Sequence, residues 1–204
     1  MWELSGLDND LQASPFRVLD FGCGSGRYMQ VFGQWLPQRN IYGVEIDPRQ
    51  VAVAKHKGLN CLQTDPLCGC LPFRGEAFAL VFSSNVVEHI PRTLYLAYLV
   101  EIHRVLKPGG RFVVSTPNYP TKRLYDLLKA MATPHSSYYL FDDPTHVNKL
   151  TFARLERDLE AVFAEVYLMA DRILLESRIP LLRRPDIRQR LRVCGDKIVG
   201  YCLK

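Results

Sequence analysis

No apolar run in these 204 residues approaches the ~20 that a membrane-spanning helix needs. The opening Met1-Trp2-Glu3 lacks the basic, then apolar pattern of a secretory leader, so a soluble, cytoplasmic protein is expected. Neither an internal repeat nor a low-complexity tract interrupts the chain, and we read 1–204 as one domain. Cysteine is sparse and badly spaced for metal. The six, at 23, 61, 68, 70, 194 and 202, fit none of the usual zinc frameworks, even when His56 is grouped with Cys61, Cys68 and Cys70. Reduced thiols and no metal are the expectation. What is present suffices for a core: 48% of residues are hydrophobic, and a domain of this size buries roughly 70% of its unfolded surface.

The most informative stretch is Val18-Leu19-Asp20-Phe21-Gly22-Cys23-Gly24-Ser25-Gly26. It reads as a buried parallel strand whose tip turns sharply into a helix. Glycines at alternate positions let the backbone approach a ligand with no Cβ in the way. The helix start behind the turn offers N–H groups to a carboxylate or phosphate. A dinucleotide site would carry G-x-G-x-x-G, but Arg27 and Tyr28 stand where the third glycine would fall. A second landmark is Ile41-Tyr42-Gly43-Val44-Glu45-Ile46-Asp47-Pro48, another short strand ending in acid, with Glu45 23 residues after Gly22. A carboxylate at that tip can accept hydrogen bonds from both hydroxyls of a ribose. Asp47 is better read as the N-cap of the helix begun by Pro48.

These residues resemble the class I S-adenosylmethionine-dependent methyltransferases, and of these the small-molecule type, similar to the enzymes of ubiquinone and menaquinone biosynthesis. The resemblance continues in order through Thr64-Asp65, through Phe78–Asn85, through Val86-Val87-Glu88-His89-Ile90 and through Leu106–Ser115. It covers roughly residues 17–118. One departure is Ala79, where many relatives carry Asp. The resemblance implies a Rossmann-like α/β fold: a seven-stranded, mostly parallel sheet with a final antiparallel strand and helices on both faces. It implies S-adenosyl-L-methionine as cofactor, with Asp20, Gly22, Cys23, Gly24 and Gly26 around its methionine end. Glu45 and Ile46 would take the ribose side, Asp65 and Pro66 the adenine, and Ser84 and Asn85 the methionine pocket.

The alternation of patterns agrees with that fold. Strands are expected near 17–21, 40–45, 59–62, 78–83 and 111–115, and helices near 27–36, 48–57 and 92–106. Helix-like stretches follow at 121–131 and 151–162, then strands near 165–171 and 197–203. Two segments bear on the acceptor. The Tyr- and Pro-rich 117–148 is positioned to act as a lid over the carboxyl edge of the sheet. The stretch 178–192 holds six arginines and one acid within a chain of net charge +5. It reads either as a solvated face or as a site for an anionic ligand or an acidic carrier protein. No aromatics are interleaved with the arginines, which argues against nucleic acid.

Methyl transfer from a sulfonium asks mainly for alignment, but a hydroxyl acceptor gains from a general base. Two histidines are candidates, His89 and His146. The first could equally anchor its helix, and the second could cap the helix beginning near Thr151. The function expected is methyl transfer to oxygen or nitrogen of a small or medium-sized acceptor. The alternatives are a non-catalytic module that keeps the cofactor fold and, disfavoured by its glycine spacing, a nicotinamide oxidoreductase.

Overall fold

The computed structural model describes residues 16–119, 121–132, 143–173 and 195–204. Seven strands form one sheet in the order β3-β2-β1-β4-β5-β7-β6. In chain order they are β1 (Val18–Phe21), β2 (Ile41–Glu45), β3 (Cys61–Gln63), β4 (Phe78–Ser84), β5 (Leu106–Pro117), β6 (Glu165–Ile173) and β7 (Gly195–Leu203). The pairs among β1 to β5 are parallel, while β7 runs antiparallel between β5 and β6. The helices are α1 (Arg27–Phe32), α2 (Pro48–His56), α3 (Arg92–Val105), α4 (Thr121–Ala132) and α5 (Phe152–Glu160).

Every residue of β1 is buried, as a strand covered on both faces requires. The alternation along β2 shows where the cover lies. Tyr42 and Val44 pack into a cluster with Leu19, Phe21, Tyr95, Tyr98, Leu99 and Ile102, which is capped by α3. Ile41 belongs instead to a second cluster, with Cys23, Met29, Val51, Ala54 and Cys61, under α1 and α2. Gly43 faces that side too, because a Cβ there would press on the sulfurs of Cys23 and Met29. The sheet therefore has helices on both faces, as expected.

Two boundaries differ most from the sequence reading. Helix α1 stops at Phe32, not near 36, because Gly33 ends it and the chain continues in tight turns, with Leu36 N donating to Phe32 O, up to Pro37. Strand β5 begins at Leu106, not 111. Leu106 pairs with Phe78 before the register shifts, and the Lys107–Gly110 turn is held by Lys204, whose N donates to Gly110 O. At α2, Asp47 caps as expected: its Oδ1 accepts from Arg49 N at 2.9 Å. The arginine-rich stretch 178–192, part of the expected lid (133–142) and Cys194 lie outside the described residues.

Candidate functional site

From β1 the sheet grows one way through β2 to β3 and the other way through β4 to β5, so its strand order reverses between β1 and β4. Open α/β sheets hold ligands beyond the carboxyl ends of the strands at such a switch point. A cleft of about 210 Å³ lies there, lined by Gly22, Glu45, Ile46, Pro66, Asn85 and His89 of the expected residues. That is below the roughly 300–1,000 Å³ of typical ligand pockets, so a nucleoside-sized ligand would be only partly enclosed.

The floor of the cleft is backbone and carboxylate. Gly22 sits at φ 77°, and a Cβ on it would collide with Val86. Gly26 caps α1 at φ 84° and lies against Leu59 in the same way. Only glycine fits either place. The first three N–H groups of the turn point at β2, and Gly26 N donates back to Cys23 O at 2.9 Å. Gly22 N and Cys23 N both donate to Val44 O, at 2.9 and 3.0 Å. Gly24 N donates to Glu45 Oε2 at 2.8 Å, and Oε1 of the same carboxylate accepts from Ile46 N at 2.8 Å and Asp47 N at 3.0 Å. Glu45 thus locks the glycine turn onto β2 while lining the cleft. Behind it Asp20 is 1% exposed, and its Oδ2 has no partner. Burial, and then the charge of Glu45, push the Asp20 carboxyl up to about 7.

The opposite wall is built from side chains. Asn85 follows β4 at φ 56°, a conformation asparagine tolerates better than most residues, and its N donates to Ser115 O at 2.8 Å. Next comes a 3₁₀ turn, Val87–His89, containing the fully buried Glu88. Thr116 Oγ1 donates to Glu88 Oε2 at 2.9 Å, while Oε1 has no partner, and burial raises this carboxyl above the usual range. Asn148 docks the segment 143–148 onto the turn: its N donates to Glu88 O at 2.9 Å and its Nδ2 to Val87 O at 3.3 Å.

That docking brings the two histidines together, ring centroids 4.8 Å apart. His89 Nδ1 lies 3.1 Å from Thr145 O. A carbonyl only accepts, so in the neutral ring Nδ1 carries the proton and Nε2 keeps its lone pair. His146 is held differently, with Nδ1 2.6 Å from the Tyr119 hydroxyl and Nε2 3.7 Å from Asp143 Oδ2. The Thr145 hydroxyl and N–H hold the Asp143 carboxyl below its usual range. His146 does not cap α5; Thr151 does, its side chain accepting from Arg154 N at 3.2 Å. One donor atom each from Glu88, His89 and His146 lies within 4.8 Å of the others, a set of the kind that takes a divalent cation.

The remaining expected residues lie near the cleft without lining it. Asp65 is exposed, and its Oδ1 accepts from Leu67 N at 2.8 Å. The Cys23 thiol is turned into the core, 3.3 Å from Cys61 Sγ. Ser84 ends β4 one residue before Asn85. The sequence reading missed Tyr98, whose hydroxyl donates to Asp65 O and Pro66 O at 3.3 and 3.2 Å and which also lines the cleft. It also gave no role to Glu88, Thr116 or Asn148. An acid inside the apolar run Val86–Ile90 was the signal for Glu88; for the other two, nothing local marks them.

Comparison with known proteins points the same way. The family described as "Methyltransferase domain" matches residues 19–114, from β1 into β5. The ubiquinone biosynthesis O-methyltransferase of Cereibacter sphaeroides is 35% identical over 120 residues, covering 55% of this chain and 47% of that protein. The demethylmenaquinone methyltransferase of Thermus thermophilus is 29% identical over 133 residues, covering 62% and 59%. The chain thus spans about half the length of the curated relatives it matches. A solved S-adenosylmethionine-dependent methyltransferase from Archaeoglobus fulgidus superposes with a TM-score of 0.69 over 98% of this chain and 92% of its own, at 20% identity, and so shares the fold. Residues 19–114, which carry the glycine turn and the carboxylate at the tip of β2, are thus similar to a methyltransferase domain, and the chain shares the fold of S-adenosylmethionine-dependent methyltransferases.

Proposed function

We propose that this protein transfers a methyl group from S-adenosylmethionine to a small or medium-sized acceptor at oxygen or nitrogen, a hydroxyl being the acceptor the site favours. The observation that carries the reading is the His89 ring on the cleft wall, its Nδ1 against the Thr145 carbonyl at 3.1 Å and Nε2 left as a proton acceptor.

The residues present fit the cofactor. Asp20 offers a buried oxygen with no partner, suited to a cationic group, and Gly22 lines the cleft with backbone alone. Glu45 would accept from the ribose hydroxyls, Ile46 and Pro66 would flank the base, and Asp65 would receive its amino group. Ser84 and Asn85 would border the methionine end. When bound, S-adenosylmethionine supplies a methyl group already activated by its sulfonium charge. The chain has to align the acceptor, exclude water and take a proton, and His89 Nε2 is placed to take it from an acceptor hydroxyl. His146, engaged at Nδ1 by Tyr119 and faced at Nε2 by Asp143, would hold the His89 ring and the acceptor wall in place.

The names of the curated relatives support a hydroxylated aromatic of the kind met in quinone biosynthesis as the first acceptor to try. Purified protein incubated with methyl-labelled S-adenosylmethionine and a panel of hydroxylated aromatics and aryl amines tests the reading. Label appearing on a hydroxyl supports it. Cofactor binding with no transfer to any acceptor of the panel would favour a non-catalytic module.

A further inference from the structure

The loop after β3 carries two thiols that methyl transfer does not use. Cys70 Sγ lies 2.8 Å from Cys68 Sγ, and Cys70 N donates to the same sulfur at 3.3 Å. Gly69, at φ 61°, makes the turn that brings them together, and both side chains are exposed. The loop is clamped to α3 on either side of the pair. Upstream, the Tyr98 hydroxyl donates to the carbonyls of Asp65 and Pro66. Downstream, Leu71 N donates to Glu101 Oε2 at 2.8 Å, and Arg104 Nη2 donates to Leu71 O at 3.3 Å. Thr64, Pro66 and Tyr98 are themselves part of the cleft wall.

Among the described residues a second close pair differs in exposure. Cys23 and Cys61 sit 3.3 Å apart but buried, and burial pushes both thiols up, away from the thiolate form that reacts. Cys68 and Cys70 are open to a reagent and already within an ångström of the ~2.05 Å disulfide distance.

We propose that Cys68 and Cys70 form a redox-modification site that reacts with small-molecule disulfides such as glutathione disulfide, and that closing it changes the cofactor cleft through the Asp65–Pro66 clamp. The Cys68 thiolate, the sulfur toward which the Cys70 N–H and S–H point, attacks one sulfur of glutathione disulfide. Its S–S bond breaks and the first glutathione leaves as thiolate. Cys70, giving its proton to water, attacks the mixed disulfide at Cys68 Sγ and expels the second glutathione. Two protein thiols are oxidised and one disulfide is reduced to two thiols. Drawing the sulfurs together tightens a turn held at both ends, so Asp65 and Pro66 are pulled off the Tyr98 hydroxyl and the wall that Pro66 contributes shifts.

The test treats the full chain with glutathione disulfide, alkylates remaining thiols and maps the peptides. Expected are a Cys68–Cys70 disulfide with no retained glutathione, its reversal by dithiothreitol, and one glutathione trapped on Cys68 in Cys70→Ser. Both cysteines found alkylated, or each carrying its own glutathione, would overturn the site. The coupling rests on the methyltransferase reading and is measured separately, as calorimetric affinity for S-adenosylhomocysteine. Oxidation should lower that affinity within the ~5–150-fold range usual for linked sites, and reduction should restore it. The double variant Cys68→Ser/Cys70→Ser, with the other four cysteines intact, should bind like reduced wild type and ignore the oxidant. An unchanged affinity in the mapped disulfide form overturns the coupling. No binding by reduced wild type would instead count against the cofactor assignment, leaving the disulfide chemistry to stand on its mapping.

Discussion

The two walls of the cleft are made of different materials. On the β1–β2 side the contacts are backbone amides gathered by one carboxylate: Gly24, Ile46 and Asp47 all donate to Glu45, and Gly22 and Cys23 share the Val44 carbonyl. On the β4 side each contact is made by a side chain reaching across a long stretch of sequence: Thr116 to the Glu88 carboxylate, Asn148 to the Val87 carbonyl, His89 to the Thr145 carbonyl, Tyr119 to His146. A wall of backbone is fixed by glycine placement and strand register, so it suits the part of a reaction that never changes, the cofactor. A wall of side chains can be altered without moving the sheet, and suits the acceptor.

The sharpest way to break this contrast is His89→Ala. If the β4 side carries the chemistry, kcat for a hydroxyl acceptor should fall by ~10²–10⁴-fold while affinity for S-adenosylhomocysteine holds within a small factor. Equal losses in both would mean the two walls are not separable. Gly22→Ala should do the reverse: a Cβ at φ 77° against Val86 should abolish measurable S-adenosylhomocysteine binding and cost about 1–3 kcal/mol of stability, read from calorimetry and denaturant melts.

Glu45→Ala removes an acceptor shared by three amides and, on the proposed reading, the ribose. Cofactor affinity should drop by roughly 1.5–3 kcal/mol, the scale of hydrogen bonds to a charged group. An unchanged affinity would leave Glu45 as a purely structural lock.

The smallest effect is one of pH. Because the free protein holds the Asp20 proton up to about 7, the stability this carboxyl contributes is complete below its unfolded value of 3.8 and is lost as pH rises through about 7. A cationic ligand group beside it favours the ionised form. Affinity for S-adenosylhomocysteine should therefore climb with pH toward about 7 and then flatten, as seen in a calorimetric series. Asp20→Asn should flatten the profile; a profile of the same slope in that variant would assign the proton elsewhere.

The same division governs what could be read from the chain. The succession of strands and helices, the turn and the acid at the tip of β2 were legible because each depends on residues adjacent in sequence: apolar runs, alternate glycines, Asp47 before Pro48. Glu45 was legible as a carboxylate at the right place, though not as the acceptor that gathers the turn's amides, since that depends on how β2 sits beside β1. Nothing local marks Tyr98 on α3, and only the docked loop after β3 gives its hydroxyl a purpose. The role given to His146 as a cap gave way because Thr151 already supplies that oxygen, and because Asn148, three residues before it, ties the segment to the Val87–His89 turn.

The antiparallel end of the sheet bears on how the chain reaches this state. Strand β7 follows β6 in sequence but lies between β5 and β6, pairing Pro117 with Lys197 and Arg111 with Leu203. The Asn118 side chain donates to Gly195 O at 2.8 Å across 77 positions. Those contacts close large loops, whose entropy must be spent before any pairing repays it, so high contact order concentrates at this edge. Until β7 docks, β5 presents an open strand edge and β6 has no partner in the sheet. The late, slow and aggregation-exposed step of folding should thus fall at the end farthest from the glycine turn, whose parallel strands are already assembled around α1 to α3.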